Sequence, residues 1–105
     1  MAETRYTVAV TFPDAALAGA WLDWLKAGHV AAVMKGGAVS AEVVKLAGMP
    51  ESYEVVYRFR SRGDFDIYDR EIAPGLREEG QKLFPTEKGI TYRRQVAEVV
   101  GRFSS

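Results

Sequence analysis

Residues 5–25, RYTVAVTFPDAALAGAWLDWL, change their apolar period from two to 3.6 across the Pro13-Asp14 step. In the first half Tyr6, Val8, Val10 and Phe12 alternate with Thr7, Ala9 and Thr11, as in a strand with one buried face. In the second half Asp14 is a good N-cap, and Leu17, Trp21, Trp24, Leu25 and Gly28 recur at spacings of three and four, lining one side of a helix. The two tryptophans are therefore expected to face the core together. Gly28 weakens the helix, so HVAAVMKGG (29–37) reads either as its last turns or as a separate short helical piece ending at Gly36-Gly37. His29, the only histidine, sits at that joint.

Working outward, AVSAEVVKLA (38–47) and SYEVVYRFR (52–60) are rich in β-branched and aromatic residues, and GMPES (48–52) is short enough to join them as an antiparallel hairpin. Tyr53, Val55, Tyr57 and Phe59 alternate with Glu54, Val56, Arg58 and Arg60. Ser61 to Asp64 resembles a capping box with Asp in place of Glu, and Phe65, Tyr68, Ile72, Leu76, Gly80 and Leu83 then recur at helical spacing. Pro74 cannot donate to the carbonyl of Arg70, which predicts a kink or restart near EIAPGLR (71–77). FPTEKG (84–89) ends this helix, and ITYRRQVAEVV (90–100) forms a last strand with Ile90, Tyr92, Arg94 and Val96 on one side.

The order is βαββαβ, an α+β arrangement. Right-handed crossovers fold it into a ferredoxin-like plait, a four-stranded antiparallel sheet with two helices on one face. The opposite face carries Thr7, Ala9, Thr11, Ser40, Glu42, Val44, Glu54, Val56, Arg58, Arg93 and Gln95. A solvated antiparallel face has this character, and so does a face on which two sheets meet in a homodimer. In either case the arginines are expected to pair with Glu42 and Glu54.

With 105 residues the chain reads as one domain, residues 1–105. Fourteen Lys+Arg balance fourteen Asp+Glu, so no basic field favours nucleic acid or an anionic membrane. No apolar run approaches the roughly 18 residues of a membrane helix, and the start, MAETRYTVAV, has no basic leader. A cytoplasmic location is expected. The absence of cysteine removes disulfides and thiolate chemistry; with one histidine, a protein-built zinc site is not expected. No glycine-rich phosphate loop is present, so no cofactor is expected; haem would have only His29 as an axial ligand.

Four stretches carry a family resemblance: WLDWLKAGHVAAVMKGG (21–37), YEVVYRF (53–59), YDREIAPGLREEGQKLFP (68–85) and ITYRRQV (90–96). Together they resemble domain of unknown function 4286, a small bacterial family similar in turn to the dimeric α+β barrel superfamily. The resemblance implies that fold and a homodimer, and it brings no established activity. The wider superfamily includes cofactor-free quinol monooxygenases, lactone isomerases, polyketide cyclases and haem enzymes, so the fold cannot choose among reactions.

His29 is the one side chain whose ordinary pKa lies near neutrality, which makes it the candidate general acid or base. On a continuous helix it falls about 80° from Trp21, at the edge of the apolar stripe and within reach of a cavity rim; Gly28 lets the chain turn there, so His29 is expected to face a cavity between the first helix and the sheet, near one or more of Trp24, Tyr57 and Tyr68. Trp21, Trp24, Tyr53, Tyr57, Tyr68 and Tyr92 could line an aromatic pocket for a flat ligand, or could simply build a core. Arg58 and Arg94 could hold a carboxylate or enolate. The charges of DIYDREIAPGLREEG (66–80) recur at helical spacing and are read as a solvated face without chemistry. Three functions are compatible with these residues: a homodimeric binding domain for a small, partly aromatic molecule; a small cofactor-free enzyme, oxygenase or isomerase/cyclase, using His29; and a structural or interaction domain without a ligand.

Overall fold

The computed structural model describes residues 2–105. The chain runs β1 (Thr4–Thr11), α1 (Ala15–Trp24), α2 (Val30–Lys35), β2 (Ser40–Lys45), β3 (Ser52–Phe59), α3 (Arg62–Glu71), α4 (Ala73–Leu83) and β4 (Thr91–Glu98). The strands form one antiparallel sheet in the order β2-β3-β1-β4, the ferredoxin-like plait. Each of the two anticipated helices is split in two. In both cases the split decides which way the next residues face.

The first split is a π-turn over Leu25–His29, closed by the Val30 N–H donating to the Leu25 carbonyl, with Gly28 outside helical geometry. Such a turn absorbs one extra residue. Leu25 and Val33, eight apart, would otherwise lie about 80° out of phase on a regular helix. With the extra residue absorbed, both are buried, at 2% and 0% exposed. Gly28, expected on the apolar stripe, is turned out to solvent.

The second split falls at Ile72, where Pro74 has no N–H for the Arg70 carbonyl and the helix restarts. The restart changes the phase of the apolar positions. Ile72 and Leu83, expected inside, are 39% and 47% exposed, whereas Ala73 and Phe84 are buried. Both predicted caps form: Asp14 Oδ1 accepts from the Leu17 N–H at 2.8 Å, and Ser61 Oγ from the Asp64 N–H at 3.1 Å.

The helices cover the sheet face bearing Tyr6, Val8 and Val10 of β1 and Tyr53, Val55, Tyr57 and Phe59 of β3. One aromatic cluster joins Phe12, Trp21 and Tyr53, with centroids 5.1 to 6.1 Å apart. Another joins Tyr6, Phe59, Phe65 and Tyr68. Trp21 is buried in the first, but Trp24 is only half-buried and points elsewhere. Among the described residues no helix covers the opposite face, where Thr7 lies between Val56 and Gln95 in the register. Arg58 on that face pairs with Glu3 at 3.3 Å; the pairing expected with Glu42 and Glu54 is not formed among the described residues.

Truncating Trp21 removes the centre of the first cluster and leaves a cavity. Trp21→Ala is expected to lose about 3–5 kcal/mol in denaturant unfolding. A variant melting within about two degrees of wild type would contradict this packing.

Candidate functional site

Between helices and sheet lies a cavity of about 60 Å³. Its walls come from β1 (Tyr6, Val8), β3 (Val55, Tyr57) and β4 (Tyr92, Arg94) below, and from Trp21, Trp24, Leu25, His29, Tyr68, Leu76, Arg77, Gly80 and Gln81 above. Gln81 and Arg94 are exposed and mark its mouth. At roughly 10–15 Å³ per water, the space holds about four to six waters. An apolar cavity that takes up benzene is about 150 Å³, so an aromatic ligand needs the wall to part or must extend through the mouth.

One side of the wall is the Trp24–His29 pair. The two rings stack at 4.1 Å between centroids and 22° between planes. On a regular α-helix residues five apart point about 140° away from each other; the π-turn brings them onto one side. The far edge of Trp24 rests on Gly80, where a methyl group would come within 3.2 Å of the indole, and its ring packs on Phe84. A larger residue at 80 would require the indole to give way by a few tenths of an ångström.

His29 Nδ1 is enclosed and has no hydrogen-bond partner. Burial lowers the imidazole pKa below its ordinary value, with the Glu79 carboxylate working in the other direction. The indole face of Trp24 also favours a cation, by about 0.5–1 kcal/mol at exposed sites. An enclosed donor without an acceptor costs about 1–3 kcal/mol, and more when charged, so the neutral form wins.

The polar groups are concentrated around Tyr6, Tyr57 and Tyr68. Arg77 donates through one Nη to Asp69 Oδ1 at 2.7 Å and to the Tyr6 hydroxyl at 3.3 Å, while its Nε is enclosed without a partner. Burial works against the Arg77 charge, but the bonds to Tyr6 and Asp69 outweigh it and hold its pKa up. Burial raises the Tyr57 phenol well above its ordinary range, reinforced by Tyr68 and Tyr6. It pushes Tyr68 up to about 12, with Tyr6 and Asp69 adding and Arg77 and Arg94 opposing. Tyr92 donates to the Phe84 carbonyl at 2.6 Å, and the Arg94 guanidinium lies 5.7 Å from the Tyr92 ring.

Of the residues singled out in the sequence, the cavity brings together His29, Trp21, Trp24, Tyr57, Tyr68, Tyr92 and Arg94. Two stand apart from it. Tyr53 is buried between Phe12 and Trp21 further along β3, and Arg58 projects from the uncovered face because it comes after the inward-facing Tyr57 in the strand. Arg77, which the sequence places on a solvated helix face, lines the cavity because the restart at Ile72 turns its side of α4 inward, and there it pairs with Asp69 of α3. The break at Pro74 is the available signal. No group of three or more histidines and acids that could hold a metal occurs among the described residues, and no helix there is long and apolar enough to cross a membrane.

The family described as Domain of unknown function (DUF4286) matches residues 5–99, and the chain belongs to it. Among solved structures, the chain resembles a dimeric ferredoxin-like protein from an uncultured marine organism, at TM-score 0.70 and 13% identity over 98% of this chain and 100% of the other. It also resembles SnoaB, a cofactor-independent oxygenase from Streptomyces nogalater, at TM-score 0.68 and 15% identity over 99% and 97%. A third is Rv0793 from Mycobacterium tuberculosis, at TM-score 0.64 and 17% identity over 96% and 99%. At these identities the likeness is one of fold. No functionally curated protein matches the chain.

The buried, neutral His29 makes a directional prediction. Its folded pKa lies below 6.5, so as pH falls through this range the unfolded chain binds the proton first and folding stability declines. NMR titration of the single imidazole should give a midpoint below 6.5, and His29→Gln should flatten this part of the stability profile. A midpoint at or above 6.5 would contradict the enclosed geometry.

Proposed function

We propose that the chain acts as a cytoplasmic, single-domain, homodimeric module that binds a small, partly aromatic molecule in the cavity between its helices and sheet. The observation that carries this reading is the pair of enclosed, unpartnered polar atoms, His29 Nδ1 and Arg77 Nε, on the wall of one aromatic cavity. Folded proteins satisfy nearly all buried polar groups, and exceptions concentrate where something else completes the site. Trp24 supplies a flat apolar surface, with Trp21, Tyr57 and Tyr68 around it.

Pairing is supported by the uncovered sheet face, on which Thr7, Ala9, Val44 and Val56 are buried or half-buried without any helix over them. It is also supported by the fold shared with a protein described as dimeric. Two such faces packed together bury about 1,200–2,000 Å² at standard size.

One observation favours a second reading, a cofactor-free enzyme of oxygenase or isomerase/cyclase type. A neutral His29 can accept a proton near pH 7, and Tyr57, Tyr68 or Arg94 could steady a developing oxyanion. The binding reading ranks first because no side chain hydrogen-bonds His29 Nδ1 to orient it as a base.

Two measurements test the proposal. Light scattering at micromolar concentration should give twice the chain mass, and Val56→Arg, which faces Glu42 across the strand pair, should fold as a monomer. Titration with p-cresol should move the NMR signals of His29 and the Trp24 indole more than that of Trp21. A monomeric wild type would overturn the pairing, and unmoved signals would overturn the binding.

A further inference from the structure

We propose that the ligand of this cavity is an arylcarboxylate, its ring against Trp24 and its carboxylate held by Arg94 together with the hydroxyls of Tyr57 and Tyr68. The inference rests on the cavity being a binding site and adds the ligand's charge and polarity.

The tyrosines supply the first argument. Tyr57 and Tyr68 line the cavity, and neither hydroxyl bonds to a protein group among the described residues, whereas Tyr92 is committed to the Phe84 carbonyl. Burial keeps both phenols protonated throughout the physiological range, so each has a proton to donate. The Tyr6 hydroxyl accepts from Arg77, which leaves its own proton available beside them. Two or three converging O–H donors call for a ligand oxygen that accepts more than one bond, and a carboxylate does so best.

The charges supply the second. The Arg77 cation is neutralised by Asp69 at 2.7 Å. Arg94 has no ion-pair partner among the described residues, and its guanidinium is close enough to oppose the rise of the Tyr68 and Tyr92 pKa values. Glu79 acts on His29 and is not part of the cavity wall. The site is thus left with one uncompensated positive charge. That matches a monoanion; a phosphate ester would exceed it, and a cationic ligand would meet repulsion.

Size and shape supply the third. The present 60 Å³ suits a headgroup, a carboxylate with its adjoining carbon, and the ring fills the rest as Trp24 leaves its seat on Gly80.

Phenylacetate and its neutral near-isostere phenylacetamide separate the possibilities. Calorimetric or NMR titration should show the acid binding at least about tenfold tighter to the wild type. In Arg94→Gln, an exposed position whose melting temperature should not move, the preference should shrink to within about twofold while the amide binds as before. Tyr68→Phe should weaken the acid more than the amide. Equal binding of acid and amide by the wild type would overturn the carboxylate assignment while leaving an aromatic site. An acid preference that survives Arg94→Gln unchanged would overturn the role of Arg94. If p-cresol and both phenylacetyl compounds all fail to bind at millimolar concentration, the binding reading falls as well.

Discussion

The single extra residue absorbed between Leu25 and His29 governs how the first helical segment meets the sheet. Without it, Val33 would leave the core and His29 would sit about 80° from Trp21, at the edge of the apolar stripe. With it, the offset falls to about 20°, and Trp24 and His29 stack face to face. The turn also fixes which side of Trp24 is available. One face is occupied by His29, its edge by Gly80, and the ring leans on Phe84, so the indole closes the cavity without filling it.

The sheet then keeps two surfaces apart by strict alternation. On β3, Tyr57 faces the cavity and Arg58 the uncovered face; on β4, Arg94 faces the cavity and Arg93 the other side. Neighbours in sequence therefore serve different surfaces. A substitution at either arginine changes one surface and leaves the other intact. Register slippage by one residue would exchange the two sets, which the buried row of Tyr53, Val55, Tyr57 and Phe59 prevents.

That division shows how far the sequence can be read. The strands and their inward rows come from alternation and are legible residue by residue, from Tyr6 to Val10 and from Tyr53 to Phe59. Gly28 and Pro74 signal the two helix breaks, but neither signals the phase in which the helix resumes. A proline announces that a bond is missing without saying how far the next helix rotates, so a regular count puts Ile72 and Leu83 inward and Arg77 outward. The same 3.6-residue count puts His29 at the edge of the stripe; the break at Gly28 is what points it to the cavity, and the π-turn, which the count cannot represent, supplies the angle. Tyr53 groups with Tyr57 in the sequence because both share a face. Position along the strand, which decides whether a residue meets the first aromatic cluster or the cavity, depends on where the helices cross and has no local signature.

The polar side of the cavity combines one long-range pairing with two short ones. Tyr6 and Arg77 are 71 positions apart, yet their hydrogen bond ties β1 to α4 directly above the sheet. Asp69, on α3, reaches across the Ile72 break to the same guanidinium, so the two halves of the second helical segment are held at their angle by an ion pair whose members are about one-third and one-half exposed. An exposed pair of this kind contributes little to stability, in the range of about 0–1 kcal/mol. Its consequence is geometric. By fixing Arg77 beside Tyr6 it neutralises one arginine and orients a phenol, and the remaining cation, Arg94, is left at the mouth, where it can face solvent when the site is empty and a ligand's charge when it is full.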